Sequence, residues 1–273
     1  MELGYLGPEG SYSYIAAKHY LPKGNIIAMK TFRQIITAVE EGSIEAGILP
    51  IENSTEGAVT QVMDGLMNTV VSRIQGEMIL QVRLNLLSIG ENIKELRYVL
   101  SHPQPLEQCR EFMVNHFPQV VLRPCGSTSE ACKIAREKGK EYGAIANSWA
   151  AENNGLKILY RDIQDNVNNQ TRFVIIGRKD TIPTGRDKTS IAFSFHDDFP
   201  GSLYNVLREF AEERINLTRV ESRPAKTELG KYIFYVDFEG HKEAIKAKKV
   251  LSNIEKMTNK LKIFGSYPIG RVF

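Results

Sequence analysis

Ala46-Gly47-Ile48-Leu49-Pro50-Ile51-Glu52-Asn53-Ser54-Thr55-Glu56-Gly57 begins as an apolar strand and ends in a cluster of hydrogen-bonding groups. Two carboxylates, an amide and two hydroxyls at the carboxyl end of a strand stand where open α/β sheets hold their ligands. A plainer reading stays open: Asn53 or Ser54 could cap a helix whose first turn carries the acidic residues. The surrounding pattern decides the fold. Apolar runs predict strands at 3–6, 46–49, 97–100, 120–122, 143–146 and 172–176, and helical spacing predicts helices at 12–20, 32–41, 105–115 and 129–138. Such alternation argues for α/β layers. The extended stretch 79–89 is expected to cross between two lobes.

Residues 178–188, with Pro183 and Gly185 among charged and hydroxylated neighbours, show neither period and read as a linker. This places one domain over 1–180 and another over 188–273. Beyond the linker Ile191, Phe193 and Phe195 alternate as a strand, and Leu203, Val206, Leu207 and Phe210 follow at helical spacing. Tyr232, Phe234, Val236 and Phe238 alternate again, Ala244, Ala247, Leu251 and Ile254 mark a second helix, and 261–267 closes the unit. Strand, helix, strand, strand, helix, strand is the ferredoxin-like βαββαβ order.

Composition narrows the function. The chain has 273 residues, 42% hydrophobic and 25% charged, and a formal net charge of +3 with Lys and Arg scattered, so no nucleic-acid stripe is visible. The first residues, Met1-Glu2-Leu3-Gly4-Tyr5, form no export signal, and no later run approaches the roughly 18 apolar residues of a spanning helix. A cytoplasmic protein without membrane partners is expected. Cys109, Cys125 and Cys132 lack the paired spacing of a metal or redox site and read as buried small hydrophobes.

Polar clusters at strand ends recur. Gly7-Pro8-Glu9-Gly10-Ser11 is either an ordinary strand-to-helix turn or a place where backbone N–H groups face an anion. Ser101-His102-Pro103-Gln104-Pro105-Leu106-Glu107-Gln108-Cys109 and Ser127-Thr128-Ser129 repeat the design. Several in series suggest helix N-termini converging on one cleft. In Asn168-Asn169-Gln170-Thr171-Arg172-Phe173, the arginine at a strand mouth is either a surface cation or a bidentate holder of a carboxylate.

In order and spacing, Gly7 to Ser13, Pro50 to Ser54 with Gly57, Ser101-His102-Pro103-Gln104 with Leu106 and Gln108, Ser127-Thr128, and Asn169-Gln170-Thr171-Arg172-Phe173 resemble the successive motifs of prephenate dehydratases. Gly201-Ser202-Leu203 leading to Leu207, then Asn216-Leu217-Thr218 and Glu221-Ser222-Arg223-Pro224, look like the phenylalanine-binding motifs of the ACT domain fused to these enzymes. The resemblance covers nearly the whole chain. It departs at Gly126, where some relatives carry an acidic residue, and at Ser202, where alanine is frequent. The chain starts at the dehydratase motif, so no chorismate mutase domain is expected.

The resemblance implies an α/β catalytic domain of two lobes, similar to type II periplasmic binding proteins, with the active site between them, and a regulatory ACT domain. It also implies prephenate as substrate, L-phenylalanine as allosteric ligand, a homodimer or homotetramer, and no metal or cofactor. By the same resemblance Thr171, Arg172, Glu52, Asn53, Ser101 and Gln108 are candidate catalytic residues, and Ser11, Ser54, His102, Gln104, Ser127, Thr128 and Phe173 candidate substrate contacts. Arg172 is expected to bind a substrate carboxylate and Thr171 to hydrogen-bond the departing hydroxyl. A free threonine hydroxyl is a very weak acid, so Glu52 could be the ultimate acid if a closed cleft raised its pKa. Gly201, Ser202, Leu203, Asn216, Leu217, Thr218, Glu221, Ser222, Arg223 and Pro224 are the candidate phenylalanine contacts, with Glu221 and Asn216 near the polar groups of the ligand and Leu203 or Leu217 near its ring. An arogenate dehydratase and a non-catalytic phenylalanine sensor are the alternatives.

Overall fold

The structure, a computed structural model, describes residues 1–196, 199–226 and 230–273. A first lobe is laid down by β1 (Glu2–Leu6), α1 (Tyr12–Tyr20), β2 (Asn25–Met29), α2 (Phe32–Glu41), β3 (Ala46–Asn53), the short β4 (Gly57–Ala58), α3 (Thr60–Met67) and β5 (Arg73–Gln81). Residues 82–84 cross to a second lobe, as the extended 79–89 stretch predicts. That lobe holds β6 (Asn85–Ser88), β7 (Tyr98–Ser101), α4 (Pro103–Gln108), α5 (Arg110–His116), β8 (Val121–Pro124), α6 (Thr128–Lys138), β9 (Tyr142–Ala146), α7 (Ser148–Asn154) and β10 (Lys157–Tyr160). The chain then returns as β11 (Gln170–Gly177), which inserts antiparallel between β3 and β5. The sheets run β2-β1-β3-β11-β5 in the first lobe and β10-β6-β9-β7-β8 in the second. Two crossings therefore tie two separately cored lobes.

The third unit is β12 (Asp187–Ser194), α8 (Ser202–Glu212), β13 (Leu217–Pro224), β14 (Tyr232–Glu239), α9 (Ile245–Met257) and β15 (Lys260–Pro268), with sheet order β13-β14-β12-β15. This is the expected βαββαβ arrangement. Its sheet packs on the first lobe: one apolar cluster joins Ile35, Leu49, Val174 and Ile176 to Ala192, Tyr235, Phe264 and Tyr267. The approach is close enough that a Cβ on Gly265 would stand 2.2 Å from the Ile74 carbonyl oxygen. The last residues also add to β5, where Ile79 and Gln81 donate backbone N–H groups to the Arg271 and Phe273 carbonyls at 3.0 and 2.9 Å.

One sequence expectation fails locally. The helix predicted over 105–115 is two helices broken at Cys109, because the return strand's approach supplies competing partners from Asp165. Its N–H takes the Gln108 carbonyl at 2.7 Å, and its carboxylate accepts from the Glu111 and Phe112 N–H groups at 3.0 and 2.9 Å. Cys109 and Cys132 are buried as expected, with burial pushing the Cys132 thiol up to about 12, but Cys125 is half-buried. Among the described residues no helix is long and apolar enough to cross a membrane.

Candidate active site

The lobes face each other across a cavity of about 250 Å³. Lobe one contributes Gly10, Ser11 and Tyr12 where α1 starts, Asn53 at the end of β3, and Asn169 and Thr171 where β11 starts. Lobe two contributes His102, Gln104, Pro105 and Gln108 of the α4 region, Gly126, Ser127 and Thr128 at the start of α6, and Asn147 ahead of α7, while Val82 and Leu84 come from the crossing.

The local sequence explains why polar groups gather here. Ser11, His102, Ser127 and Asn147 are the N-caps of α1, α4, α6 and α7, their side chains accepting from the N–H groups of Tyr14, Gln104, Glu130 and Ala150. First-turn N–H groups have no partner inside their helix and carry partial positive charge. Among the described lining residues there is no Lys or Arg, and His102 is the one side chain able to carry a positive charge. An anion in this cleft would be met by backbone N–H groups and neutral donors, more than by cations.

Asn53 is the centre of the polar network. Its Nδ2 donates to Asn169 Oδ1 and to Thr171 Oγ1, both at 2.9 Å, while its Oδ1 accepts from the Thr55 and Glu56 N–H groups at 2.9 and 3.0 Å. Across the mouth of the cleft, the Glu56 carboxylate accepts from the side-chain amides of Gln104 and Gln108, joining lobe one to lobe two. Tyr12 donates its hydroxyl to the Arg83 carbonyl at 2.7 Å, and burial pushes its phenol well above the ordinary range. Asn147 Nδ2 bonds the Gly10 carbonyl at 2.8 Å, a second tie between the lobes.

Of the candidates from sequence, Thr171, Asn53, Gln108, Ser11, His102, Gln104, Ser127 and Thr128 border the cavity. Five others do not. Arg172 points from the opposite face of β11, where its guanidinium donates to Glu77, Asp237 and Tyr267, so it is not placed to bind a substrate carboxylate. Glu52, paired with Arg172 in the β3–β11 ladder, shares that face and lies 3.6 Å from Arg172 and 4.0 Å from Arg219, which removes it as the acid in the cleft. Phe173 is core, 1% exposed. Ser101 is buried beneath the cleft with its hydroxyl on the Ile145 carbonyl at 2.7 Å. Ser54 braces the hairpin end, bonding the Asn168 carbonyl and the Gln170 N–H.

Period-two alternation along a strand is the reason: Thr171 and Arg172, like Asn53 and Glu52, cannot both face one cleft. Sequence reasoning did not single out Asn147 or Tyr12, and it quoted Glu56 and Asn169 within motifs without giving either a role. Asn147 did carry a signal, since it follows the apolar 143–146 run as Ser11 follows 3–6. Glu56 carried the same strand-end signal as Glu52, which did not tell the two carboxylates apart.

The phenylalanine-motif residues lie on the third unit. Gly201, at φ +94°, opens α8 with Ser202 and Leu203, and Asn216 follows its far end. Leu217, Thr218, Glu221, Ser222, Arg223 and Pro224 run along β13, the outer strand of its sheet. Arg223 bonds Asp64 and the Thr60 carbonyl of α3, both at 2.9 Å, so this strand also touches lobe one.

Fold and cleft define a small-molecule enzyme of two α/β lobes with a fused ferredoxin-like module. The family profile described as prephenate dehydratase matches residues 3–181, and the ACT domain profile matches 189–256. The chain belongs to the prephenate dehydratase family, hydro-lyases that decarboxylate and dehydrate prephenate, and carries an ACT domain. It is 39% identical to the prephenate dehydratase of Methanocaldococcus jannaschii over 97% of each chain, and 34% identical to that of Bacillus subtilis over 98% of each. Among solved structures, the prephenate dehydratase of Arthrobacter aurescens in complex with L-Phe superposes with a TM-score of 0.87 at 29% identity, over 98% of this chain and 90% of that one. A protein described as a novel type of quorum-quenching acylase superposes equally well, TM-score 0.87 at 31% identity, over 98% of both chains.

Proposed function

We propose that residues 1–180 convert prephenate to phenylpyruvate, carbon dioxide and water, and that residues 188–273 make the conversion responsive to L-phenylalanine. The observation that carries the catalytic reading is the Asn53–Thr171 bond. With both Nδ2 hydrogens of Asn53 donated, Thr171 Oγ is an acceptor toward lobe one, and its own proton is left to point into the cleft. A ring hydroxyl leaving from that side receives a hydrogen bond as negative charge develops on it and departs as hydroxide, which takes a proton from solvent to become water, while the C–C electrons released with carbon dioxide enter the ring and make it aromatic. Aromatisation drives the reaction, so positioning and electrostatics suffice. The first-turn N–H groups near Ser11 and Ser127 are the groups suited to the two carboxylates. In this reading Thr171 orients the leaving group, Asn53 orients Thr171, and Gln108 and Gln104 close the cleft through Glu56.

The regulatory reading rests on distance. Gly201–Leu203 and Asn216–Thr218 flank the two ends of α8, an 11-residue helix about 16 Å long, so one chain cannot wrap both motifs around one amino acid. Two chains meeting along the open β13 edges can, which makes the responsive species a homodimer or a homotetramer built from it. A cytoplasmic location fits the biosynthetic role.

Purified protein assayed on prephenate and on arogenate, with and without phenylalanine, tests the whole reading. Phenylpyruvate formation from prephenate, reduced by phenylalanine, is expected. Turnover of arogenate alone would reassign the substrate, phenylalanine binding without turnover would leave a sensor, and amide hydrolysis of an acylated substrate without dehydration would favour the acylase relative.

A further inference from the structure

Arg172 is next to Thr171 but works on the other face of β11. Its donors go to three strands: Nε to Glu77 of β5 at 2.7 Å, Nη1 to Asp237 of β14 at 2.6 Å, and Nη2 to Tyr267 of β15 at 2.9 Å. β5 is the ladder neighbour of β11, whereas β14 and β15 belong to the ACT domain. A planar guanidinium held at three points has its position and tilt fixed, and so does the backbone that bears it.

The need for such a hold is visible in the ladder. Pairing of β11 with β3 slips by one residue between Arg172 and Phe173. On its β3 side Thr171 therefore sits beyond an irregularity whose extra residue, Ile51, belongs to β3, while on its other side β5 pairs with Gln170 to Ile175 without a break. The other side of the anchor reaches the edge strand, since Thr218 Oγ1 of β13 donates to the Asp237 carbonyl at 3.3 Å.

We propose that Arg172 is a positioning residue for the dehydration, tying the Thr171 hydroxyl to strands β14 and β15 so that displacement of the ACT sheet displaces Thr171. This deepens the prephenate dehydratase reading and rests on it. Arg172 touches no substrate; it acts through its neighbour.

A double-mutant cycle tests the proposal on the full chain. Asp237→Asn keeps size and an acceptor while removing the charge that Arg172 meets, and Tyr267→Phe is a second variant should the first fold poorly. Either is expected to lower kcat several-fold with KM within about twofold. In a Thr171→Ala background the same substitution is expected to cause no further loss, because its route to the reaction is gone. Independent sites give losses that multiply, so a multiplied loss, or an unchanged kcat in a folded single variant, would overturn the proposal. Lack of prephenate turnover by the unsubstituted protein would instead overturn the reading beneath it.

Discussion

Asn53 Nδ2 donates to Thr171 Oγ1 at 2.9 Å, a bond in which the threonine oxygen is the acceptor and its own proton is not used. The orientation of the Asn53 amide is not arbitrary, because its Oδ1 already receives two backbone N–H groups. Thr171→Val, which keeps shape and loses the hydroxyl, should lower kcat by about 10²–10³, the usual cost of removing one donor to developing negative charge. Asn53→Asp should reverse the Asn53–Thr171 bond, turning the Thr171 proton away from the substrate and lowering kcat by about tenfold or more. Steady-state kinetics with KM determined separately checks both; wild-type kcat in Thr171→Val would end its role.

Glu56 joins the lobes through exposed groups, so its contribution belongs to closure and not to folding. Glu56→Ala should raise KM several-fold while shifting stability by no more than about 0.5 kcal/mol, as expected for a surface substitution. Gln104→Ala should act in the same direction. Parallel kinetics and thermal melting separate the two effects, and a large drop in melting temperature with unchanged KM would contradict the assignment.

How far the sequence reaches is well shown by these two sites. The α/β lobes and the βαββαβ unit follow from local periodicity, which strands and helices carry in their own residues. The polar clusters that hold Ser11, His102 and Ser127 were legible for the same reason, each lying between a strand and a helix, although the helices predicted from 105 and 129 start at Pro103 and Thr128. Arg172 and Glu52 were assigned to the cleft although period-two alternation, already legible, puts them opposite Thr171 and Asn53. The partners of Arg172 were beyond reach, because Glu77, Asp237 and Tyr267 lie 65 or more residues away and meet only through tertiary packing. The helix break at Cys109 has the same origin in Asp165.

The Arg172 cluster also bears on stability. Lys188 shares the buried Glu77 carboxylate at 2.8 and 3.0 Å, so Arg172 and Lys188 balance Glu77 and Asp237. Burial opposes ionisation of Asp237, but the Arg172 and Arg219 charges outweigh it and hold its carboxyl below the ordinary range. Arg172→Met leaves Asp237 without its closest cation and should cost about 3–5 kcal/mol, the penalty of breaking a buried pair from one side. Urea unfolding of the variant measures this; a loss under about 1 kcal/mol would mean the cluster is solvated in solution.

The last prediction concerns acid. The Glu40 carboxylate at the end of α2 gathers the loop between α3 and β5, accepting from the Val70, Val71 and Ser72 N–H groups at 2.5, 2.7 and 2.8 Å and from the Ser72 hydroxyl. Burial pushes its pKa up, yet these donors outweigh burial and bring it down from 4.5 to about 2. A depressed folded-state value means stabilisation that is complete above the unfolded value and lost as pH falls through the folded one. Glu40→Gln should therefore lower stability by about 1–2 kcal/mol near neutral pH, the scale of hydrogen bonds to a charged acceptor in a half-exposed site. The gap to the unsubstituted protein should stay constant down to about pH 5, then narrow toward pH 2 as the native carboxylate itself takes up a proton. Urea midpoints of both proteins across that range give the curve, and a gap that widened on acidification would show that Glu40 is held in the protonated form.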